Sequence, residues 1–360
     1  MAPFDRPRTG GSSRSVAARG TWWYATVAAE APGSFTARVR IRMRRTSLAA
    51  VLLFTVAYAG LVLTATGRRW GDAVVAGRLT DPAVARVLRE HPSLQGLATL
   101  SLALAVLLLA AVGVLRGRYG RTGAALGTLA ATLALAELLQ RYAPGPHLLD
   151  ASGTAVDSGF PSSPTVIAAG TALGLVLVVP HRLRSATVGL AALWATALGA
   201  YGIASGRHRP GDVIAADLLV LAAFAALLAL LARKGKVRPA SRGALPRQRL
   251  LVTLPLAALA LGGLAAGGYL LGDCLPPGTG PLPLDLPRTA HRCGQALAAG
   301  TGAGVALVLL ALFRRVDLDP RPAPYRPTPT TPEESLPGET LPEDPFPEDP
   351  FPEKRDHEIS

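Results

Sequence analysis

A histidine and an aspartate four residues apart are the side chains of this sequence best suited to chemistry. His208 lies in a short polar turn, 206–211, and Asp212 begins the apolar run that follows. If a helix begins near His208, this spacing places both side chains on one helix face. The carboxylate then accepts a hydrogen bond from one imidazole nitrogen and leaves the other nitrogen free to attack an electrophile. The simpler alternative is a helix hairpin with a surface histidine and an aspartate that caps the second helix.

The elements that must position this pair are apolar helices. The chain has 360 residues, of which 49% are hydrophobic and 17% are charged, and its mean hydropathy is +0.32. Soluble domains carry about 25% charged residues, so the composition predicts an all-α, polytopic membrane protein. Eight apolar runs are each predicted to cross the membrane: 47–66, 94–115, 122–139, 165–179, 186–204, 213–232, 250–271 and 296–313.

The basic residues indicate the orientation of these spans. The net charge is +13 and the pI is about 10.7, but arginine and lysine flank the apolar runs and form no single patch. We therefore expect membrane lipids, and no nucleic acid, as partners. If the N-terminus is cytoplasmic, the basic loops all fall on the cytoplasmic side, as the positive-inside rule requires. The sequence thus predicts a multi-pass plasma-membrane protein with both termini cytoplasmic and the His208 turn on the outer face.

Composition divides the chain into five parts. The ends read as disordered, because 1–42 is rich in arginine, glycine and serine and 316–360 is rich in proline and glutamate. Between them we predict a helical membrane core at 43–233, a basic cytoplasmic linker at 234–249 and an additional pair of transmembrane helices at 250–315.

The two cysteines of the chain lie in the same predicted outer loop. Cys274 and Cys293 flank a proline- and glycine-rich segment, and an oxidising exterior favours a disulfide between them. The alternative is two unpaired thiols. The sequence indicates neither a metal site nor a cofactor.

Two further segments are predicted to share the outer face with the His208 turn. They are ELLQRYAPGP at 137–146 and SGFPSSPT at 158–165. Together with GRHRPGDVIA they make the chain resemble the type 2 phosphatidic acid phosphatase superfamily, the lipid phosphate phosphatases related to vanadium haloperoxidases. The resemblance covers about 47–233. It implies a six-helix core that carries three motifs on one face, and hydrolysis of a lipid phosphate or diphosphate through a phosphohistidine.

The three motifs are only partly retained. In the third motif, His208 takes the position of the nucleophile and Asp212 that of its orienting carboxylate, while the serine and arginine of the family fall on Tyr201 and Gly202. In the second motif the family's Pro-Ser-Gly-His falls on Pro161, Ser162, Ser163 and Pro164. In the first motif the lysine, arginine and proline fall on Gln140, Gly145 and Pro146.

The missing residues bear on activity. In this family a second histidine protonates the leaving oxygen, and a lysine and two arginines hold the phosphoryl oxygens. Pro164 has no proton to donate, and loss of a general acid costs about 10²–10⁴ in rate. Each lost charge-assisted contact costs roughly 1.5–3 kcal/mol more. We therefore expect weak or lost activity, with binding of a phosphorylated lipid retained.

Two alternatives remain open. One is a working lipid or polyprenyl phosphatase, a hydrolase of phosphoric monoesters or diphosphates with relocated phosphate-binding groups. Its candidates are Ser162 and Ser163, which begin a helix and can present N–H groups to an anion, and the cations Arg141, Arg207 and Arg209. Their simpler roles are N-capping and contact with lipid headgroups. The other alternative is a membrane transporter or assembly protein without phosphate chemistry.

One further acidic residue falls inside a predicted span. Asp217 lies one turn into the sixth run and has no evident partner in the sequence. It is either buried and protonated or turned towards the His208 site.

Overall fold

Apolar sequences rich in alanine and leucine form the helices of this protein. The computed structural model describes residues 32–78, 80, 86, 90, 93–143, 159–180, 183–239, 246–275, 286–314 and 316–318. Within these residues the α-helices are α1 Pro32–Tyr58, α2 Ala65–Gly77, α3 Leu94–Leu115, α4 Tyr119–Tyr142, α5 Ser163–Val178, α6 Arg184–Ala204, α7 Pro210–Arg233, α8 Pro246–Cys274 and α9 Leu286–Leu312. A π-helical segment, Ala59–Leu63, extends α1. The all-α prediction is confirmed.

Seven of the described helices are long and apolar enough to cross a membrane: α1, α3, α4, α6, α7, α8 and α9. Each of the eight predicted apolar runs lies largely or wholly within helical segments. The run 165–179 lies in α5, which has 16 residues and is about 24 Å long, less than the ~30 Å thickness of a bilayer core. The fold is therefore that of a multi-pass membrane protein with one short internal helix.

The short helix lies at the centre of the bundle. Almost every side chain of α5 is buried, and α5 packs against α3, α4, α6 and α7. Helix α7 packs in turn against α1, α4 and α9. Phe224 and Leu228 of α7 share a continuous hydrophobic core with Val166 and Leu173 of α5. A helix that is apolar on all sides is stable only when it is enclosed, so α5 and α7 form the interior around which the other helices pack.

The two C-terminal helices belong to the same bundle. We predicted them as an additional pair of transmembrane helices, and α9 packs against α2, α6 and α7 as well as α8. At Gly294 a Cβ atom would lie only 2.6 Å from Cγ of Pro210, so only glycine permits this approach of α9 to the start of α7. At the opposite end of α9, Arg42 donates to the carbonyl of Leu312 over 2.6 Å. Cations at a helix C-terminus satisfy its free carbonyl groups, and here they join α9 to the N-terminal helix.

Part of each end that we predicted as disordered is ordered: the first helix begins before residue 42, and a short strand follows residue 315. Helix α1 starts at Pro32, within the segment predicted as disordered, because Val39 and Met43 are four residues apart and bury the same face. At the other end, Val316–Asp317 pairs antiparallel with Arg238–Pro239 of the predicted linker. The remainder of each predicted disordered segment, 1–31 and 319–360, lies outside the described residues.

Candidate functional site

The site forms where four helices meet. Helices α4 and α6 end, and α5 and α7 begin, at one end of the bundle, which we call the site end. The N–H of Ser162 donates to the carbonyl of Asp212 over 3.1 Å and ties the start of α5 to the start of α7. The ring of Phe160 packs against Tyr58 of α1, with ring centroids 5.2 Å apart. The segments that carry the three motifs therefore converge, as their order in the sequence predicts.

Asp212 caps the helix in which it lies. Asp212 is 3% exposed, and its Oδ2 accepts a hydrogen bond of 2.8 Å from the backbone N–H of Arg209. A carboxylate in the first turn of a helix satisfies a free N–H group and opposes the positive end of the helix dipole. No hydrogen bond joins this carboxylate to the His208 ring in the described part of the chain. The geometry is that of the capping alternative.

The His208 ring is partly buried, and no hydrogen bond among the described residues fixes its orientation. It packs against Gly202, where an added Cβ would lie 3.2 Å from the ring carbon Cδ2. Its Nδ1 is buried and accepts or donates no hydrogen bond among the described residues. Burial, followed by the charge of Arg207, lowers the pKa of His208 to about 4. The ring is thus neutral near pH 7, which suits a nucleophile, but nothing described here sets its tautomer.

Arg209 is paired with an acidic residue that the sequence reading did not include in the site. Its guanidinium donates from Nη2 to Oδ1 of Asp72 in α2 over 2.5 Å, and its side chain is 9% exposed. The missing side chain at Gly71 makes room for it, since a Cβ there would lie 2.9 Å from Cδ of Arg209. The pairing neutralises the charge, so a phosphate would have to compete with Asp72 for this arginine.

Arg141 and Arg207 are arranged differently from Arg209. Both side chains are exposed, and neither guanidinium has a hydrogen bond or ion pair among the described residues. No ion pair joins Arg141 to Glu137, four residues earlier in α4, and Glu137 accepts a hydrogen bond from Ser163 instead. These two arginines are free to contact solvent or headgroups at the site end.

Ser162 has the role of a helix cap. Its hydroxyl accepts hydrogen bonds from the backbone N–H of Thr165 over 3.5 Å and from the Thr165 hydroxyl over 3.0 Å. The residue is fully buried. N-capping, the simpler of the two predicted roles, accounts for both contacts.

Ser163 belongs to a hydrogen-bond network with α4. Its hydroxyl donates to Oε1 of Glu137 over 2.8 Å and accepts from Nε2 of Gln140 over 2.9 Å. Gln140 also donates to the carbonyl of Pro161 over 2.6 Å. The residue aligned with the lysine of the first motif thus fastens a loop, and a carboxylate lies where an anion would have to bind.

The described positions that align with the remaining catalytic groups of the resembled family contain no equivalent side chain. Pro164 is exposed and carries no proton donor. Gly202 lies in contact with His208, so an arginine there would require the ring to move. Gly145 and Pro146 lie outside the described residues.

A small cavity borders the Arg209 and Asp212 pair. It has a volume of about 10 Å³ and lies between the π-helical segment, α2 and the start of α7. Arg209 and Asp212 are the charged residues that line it among those described, and both are already hydrogen-bonded. The sequence reading missed α2 altogether, although the spacing of Trp70, Ala73, Val74 and Gly77 is that of one helix face.

The two cysteines lie beside one another at the site end. Both are buried free thiols in the structure, and the predicted disulfide is not formed. Trp70 donates from Nε1 to the sulfur of Cys274 over 3.2 Å, while Cys293 donates to the carbonyl of Gly267 over 3.2 Å. Both thiols belong to one buried cluster with Trp70. Formation of a disulfide between them in an oxidising environment stays a prediction.

The fold and the site define a multi-pass, all-helical membrane protein with a hydrogen-bonded helix junction at its site end. No family model matches the sequence, and neither a curated protein nor a solved structure gives a significant match. The functional conclusion below therefore depends on the geometry of the chain itself.

Proposed function

We propose that this protein is a membrane protein related to the type 2 phosphatidic acid phosphatases in which the former catalytic site has become a helix junction. The observation that carries the proposal is the commitment of Asp212 to the backbone of Arg209. In the family's reaction that carboxylate orients the nucleophile, whereas here it holds the start of α7. His208 is consequently left without an orienting partner among the described residues.

Phosphate binding at this junction would be costly. A phosphoryl group would have to displace Asp72 from Arg209, and it would approach the carboxylate of Glu137. Like charges a few ångströms apart repel by about 4 kcal/mol at 4 Å in the effective dielectric of a protein near its surface. Together with the absence of an acid at Pro164, these contacts favour loss of hydrolysis.

Lipid contact is the role that the remaining cations support. Arg141 and Arg207 are exposed at the site end, and arginines at a membrane surface bind lipid phosphates by charge and bidentate hydrogen bonds. We propose that the site end faces outward from the plasma membrane, with both termini cytoplasmic, and that these arginines contact headgroups or a phosphorylated lipid there.

A second candidate function is a slow phosphatase with relocated cations. The observation in its favour is the neutral His208 ring beside the exposed Arg207. In that reaction the imidazole nitrogen attacks phosphorus, the P–O bond to the leaving alcohol breaks and solvent protonates the leaving oxygen, while Arg207 stabilises the charge on the phosphoryl oxygens. Water then hydrolyses the N–P bond and releases phosphate.

The two candidates are separated by phosphate release from phosphatidate and from farnesyl diphosphate. The full-length protein, purified in detergent, is compared with its His208→Ala variant and with a family enzyme that has complete motifs. We expect a rate lower than that enzyme's by at least about 10²-fold, the effect of a lost general acid, and no difference between wild type and variant. High activity that disappears in His208→Ala would refute the proposal and establish relocated cations. Activity that survives in the variant would come from another site or a contaminant, and would leave the junction inactive as proposed.

A further inference from the structure

An acidic side chain is enclosed within the membrane-spanning part of the bundle. Asp217 is the eighth residue of α7, about 10 Å along the helix axis from Pro210. It is 6% exposed and has no hydrogen bond or ion pair among the described residues. A carboxyl group in this position is costly to bury without a partner, and ionisable residues of this kind in membrane proteins mark functional sites.

Asp217 lines a cavity that is separate from the His208 turn. The cavity lies between α5, α6, α7 and α9 and has a volume of about 30 Å³, which is room for a small polar head group. Its walls are alanine, valine and leucine side chains, and Thr196 is the other polar residue among those that line it. Ala195, Thr196 and Gly302 are partly exposed, so the cavity reaches the surface of the bundle beside them.

The two polar side chains face the same small space. A Cβ added at Gly302 would lie 2.9 Å from Oγ1 of Thr196 and 3.3 Å from Oδ2 of Asp217. The absence of a side chain at Gly302 therefore leaves a gap that is bordered by one carboxylate oxygen and one hydroxyl.

The chemistry of the lining restricts what can bind. A carboxylate favours a cation, and the apolar walls favour an alkyl or aromatic body. A bare metal ion is disfavoured, because calcium takes six to eight oxygen ligands and the lining supplies two polar groups. A phospholipid headgroup is disfavoured as well, because no cationic residue lines the described cavity to hold its phosphate.

We propose that Asp217 and Thr196 form an intramembrane binding site for a lipophilic ammonium cation. The ammonium group lies in the cavity and donates to Oδ2 of Asp217 and to Oγ1 of Thr196, and the alkyl chain leaves through the opening beside Ala195 and Gly302. The proposal is independent of the fate of the phosphatase site, since none of its residues belongs to the junction of Asp212 and Arg209.

Protection from a carbodiimide tests the site. Dicyclohexylcarbodiimide is apolar and reacts with protonated carboxyl groups buried in membrane proteins. The full-length protein in detergent is treated with this reagent in the presence of octylamine, or of 1-octanol as an uncharged probe of the same length, and labelling at Asp217 is read by peptide mass spectrometry. The spectra count both products at Asp217, the N-acylurea of the carbodiimide and the octylamide that forms if octylamine attacks the activated carboxyl group. We expect bound octylamine to prevent both products and 1-octanol to have no effect, whereas an octylamide in place of the N-acylurea would overturn the proposal. The Thr196→Val variant should need at least about 10-fold more octylamine, the equivalent of one lost hydrogen bond to a charged group.

Thermal stability gives a second readout. Octylamine should raise the melting temperature of the wild-type protein and of Asp273→Asn, a control that removes an exposed carboxylate from α8. The rise should be absent in Asp217→Asn. An equal rise in Asp217→Asn, or equal protection of the wild type by octylamine and 1-octanol, would overturn the proposal. The protection experiment uses the wild type alone and so remains decisive if the Asp217→Asn variant does not fold.

Discussion

Removal of the Asp212 side chain tests whether this residue is a helix cap or part of a catalytic pair. The carboxylate accepts one hydrogen bond of 2.8 Å from a backbone N–H in a region that is almost fully enclosed. Loss of an N-terminal capping side chain costs about 0.5–2 kcal/mol, and loss of a hydrogen bond to a charged group costs about 1.5–3 kcal/mol. We therefore expect Asp212→Ala to lower the free energy of unfolding by about 2 kcal/mol.

Asp212→Asn is the matched variant. An asparagine keeps an acceptor oxygen at nearly the same position and loses only the charge that opposes the helix dipole, which is worth about 0.3–1 kcal/mol. We expect its loss of stability to be less than half that of Asp212→Ala. If the carboxylate instead oriented His208, the asparagine would disturb the imidazole as strongly as the alanine does.

Two measurements distinguish these roles. The free energy of unfolding is obtained from titration of the detergent-solubilised protein with sodium dodecyl sulfate, and the tautomer of His208 is obtained from the ¹⁵N chemical shifts of its ring. We expect the stability series wild type, Asp212→Asn, Asp212→Ala in decreasing order, with the His208 shifts unchanged. An alanine variant as stable as the wild type, with altered His208 shifts, would refute the capping role.

Three further predictions concern pH, the cysteines and orientation. The folded state lowers the pKa of His208 to about 4, so as the pH falls below 6.5 the unfolded chain binds this proton before the folded protein does. The contribution of His208 to the free energy of unfolding should be complete above pH 6.5 and decline as the pH falls towards about 4. The His208→Gln variant should lack this part of the pH dependence. Oxidation of the membrane-extracted protein should join Cys274 to Cys293, so that alkylation under non-reducing conditions finds no free thiol; two free thiols after oxidation would exclude the bridge. A cysteine replacing the exposed Arg207 should react with an impermeant maleimide in intact cells, and reaction only after lysis would reverse the proposed orientation. Arg207 is preferred to Gly206, because Gly206 has a φ of 73° and lies against Arg78.

The membrane class and most helices could be predicted from local sequence alone. A run of some twenty apolar residues forms a helix in lipid wherever it occurs, because its backbone groups have no other partners there. Helix α2 shows the limit of this reasoning. It has 13 residues, too few to cross a bilayer, so hydropathy alone does not reveal it, although its buried residues lie on one helix face and α9 packs against it.

The roles of the polar residues were decided by tertiary structure. The spacing of His208 and Asp212 is compatible with a catalytic pair and with a capped helix, and the sequence contains nothing that distinguishes the two. The outcome depends on which donor lies closest to the carboxylate in the fold, and that donor is the N–H of Arg209.

Long-range contacts had the same effect at other positions. Asp72 is 137 residues from Arg209 along the chain, and their pairing follows from the approach of α2 to the start of α7. Sequence alone placed Asp217 within a membrane span but left open which side of the helix it faced. The packing of α5, α6, α7 and α9 decides that this carboxylate faces a cavity. The neighbours of a buried polar group depend on how the whole bundle packs, and the sequence of its own helix does not determine them.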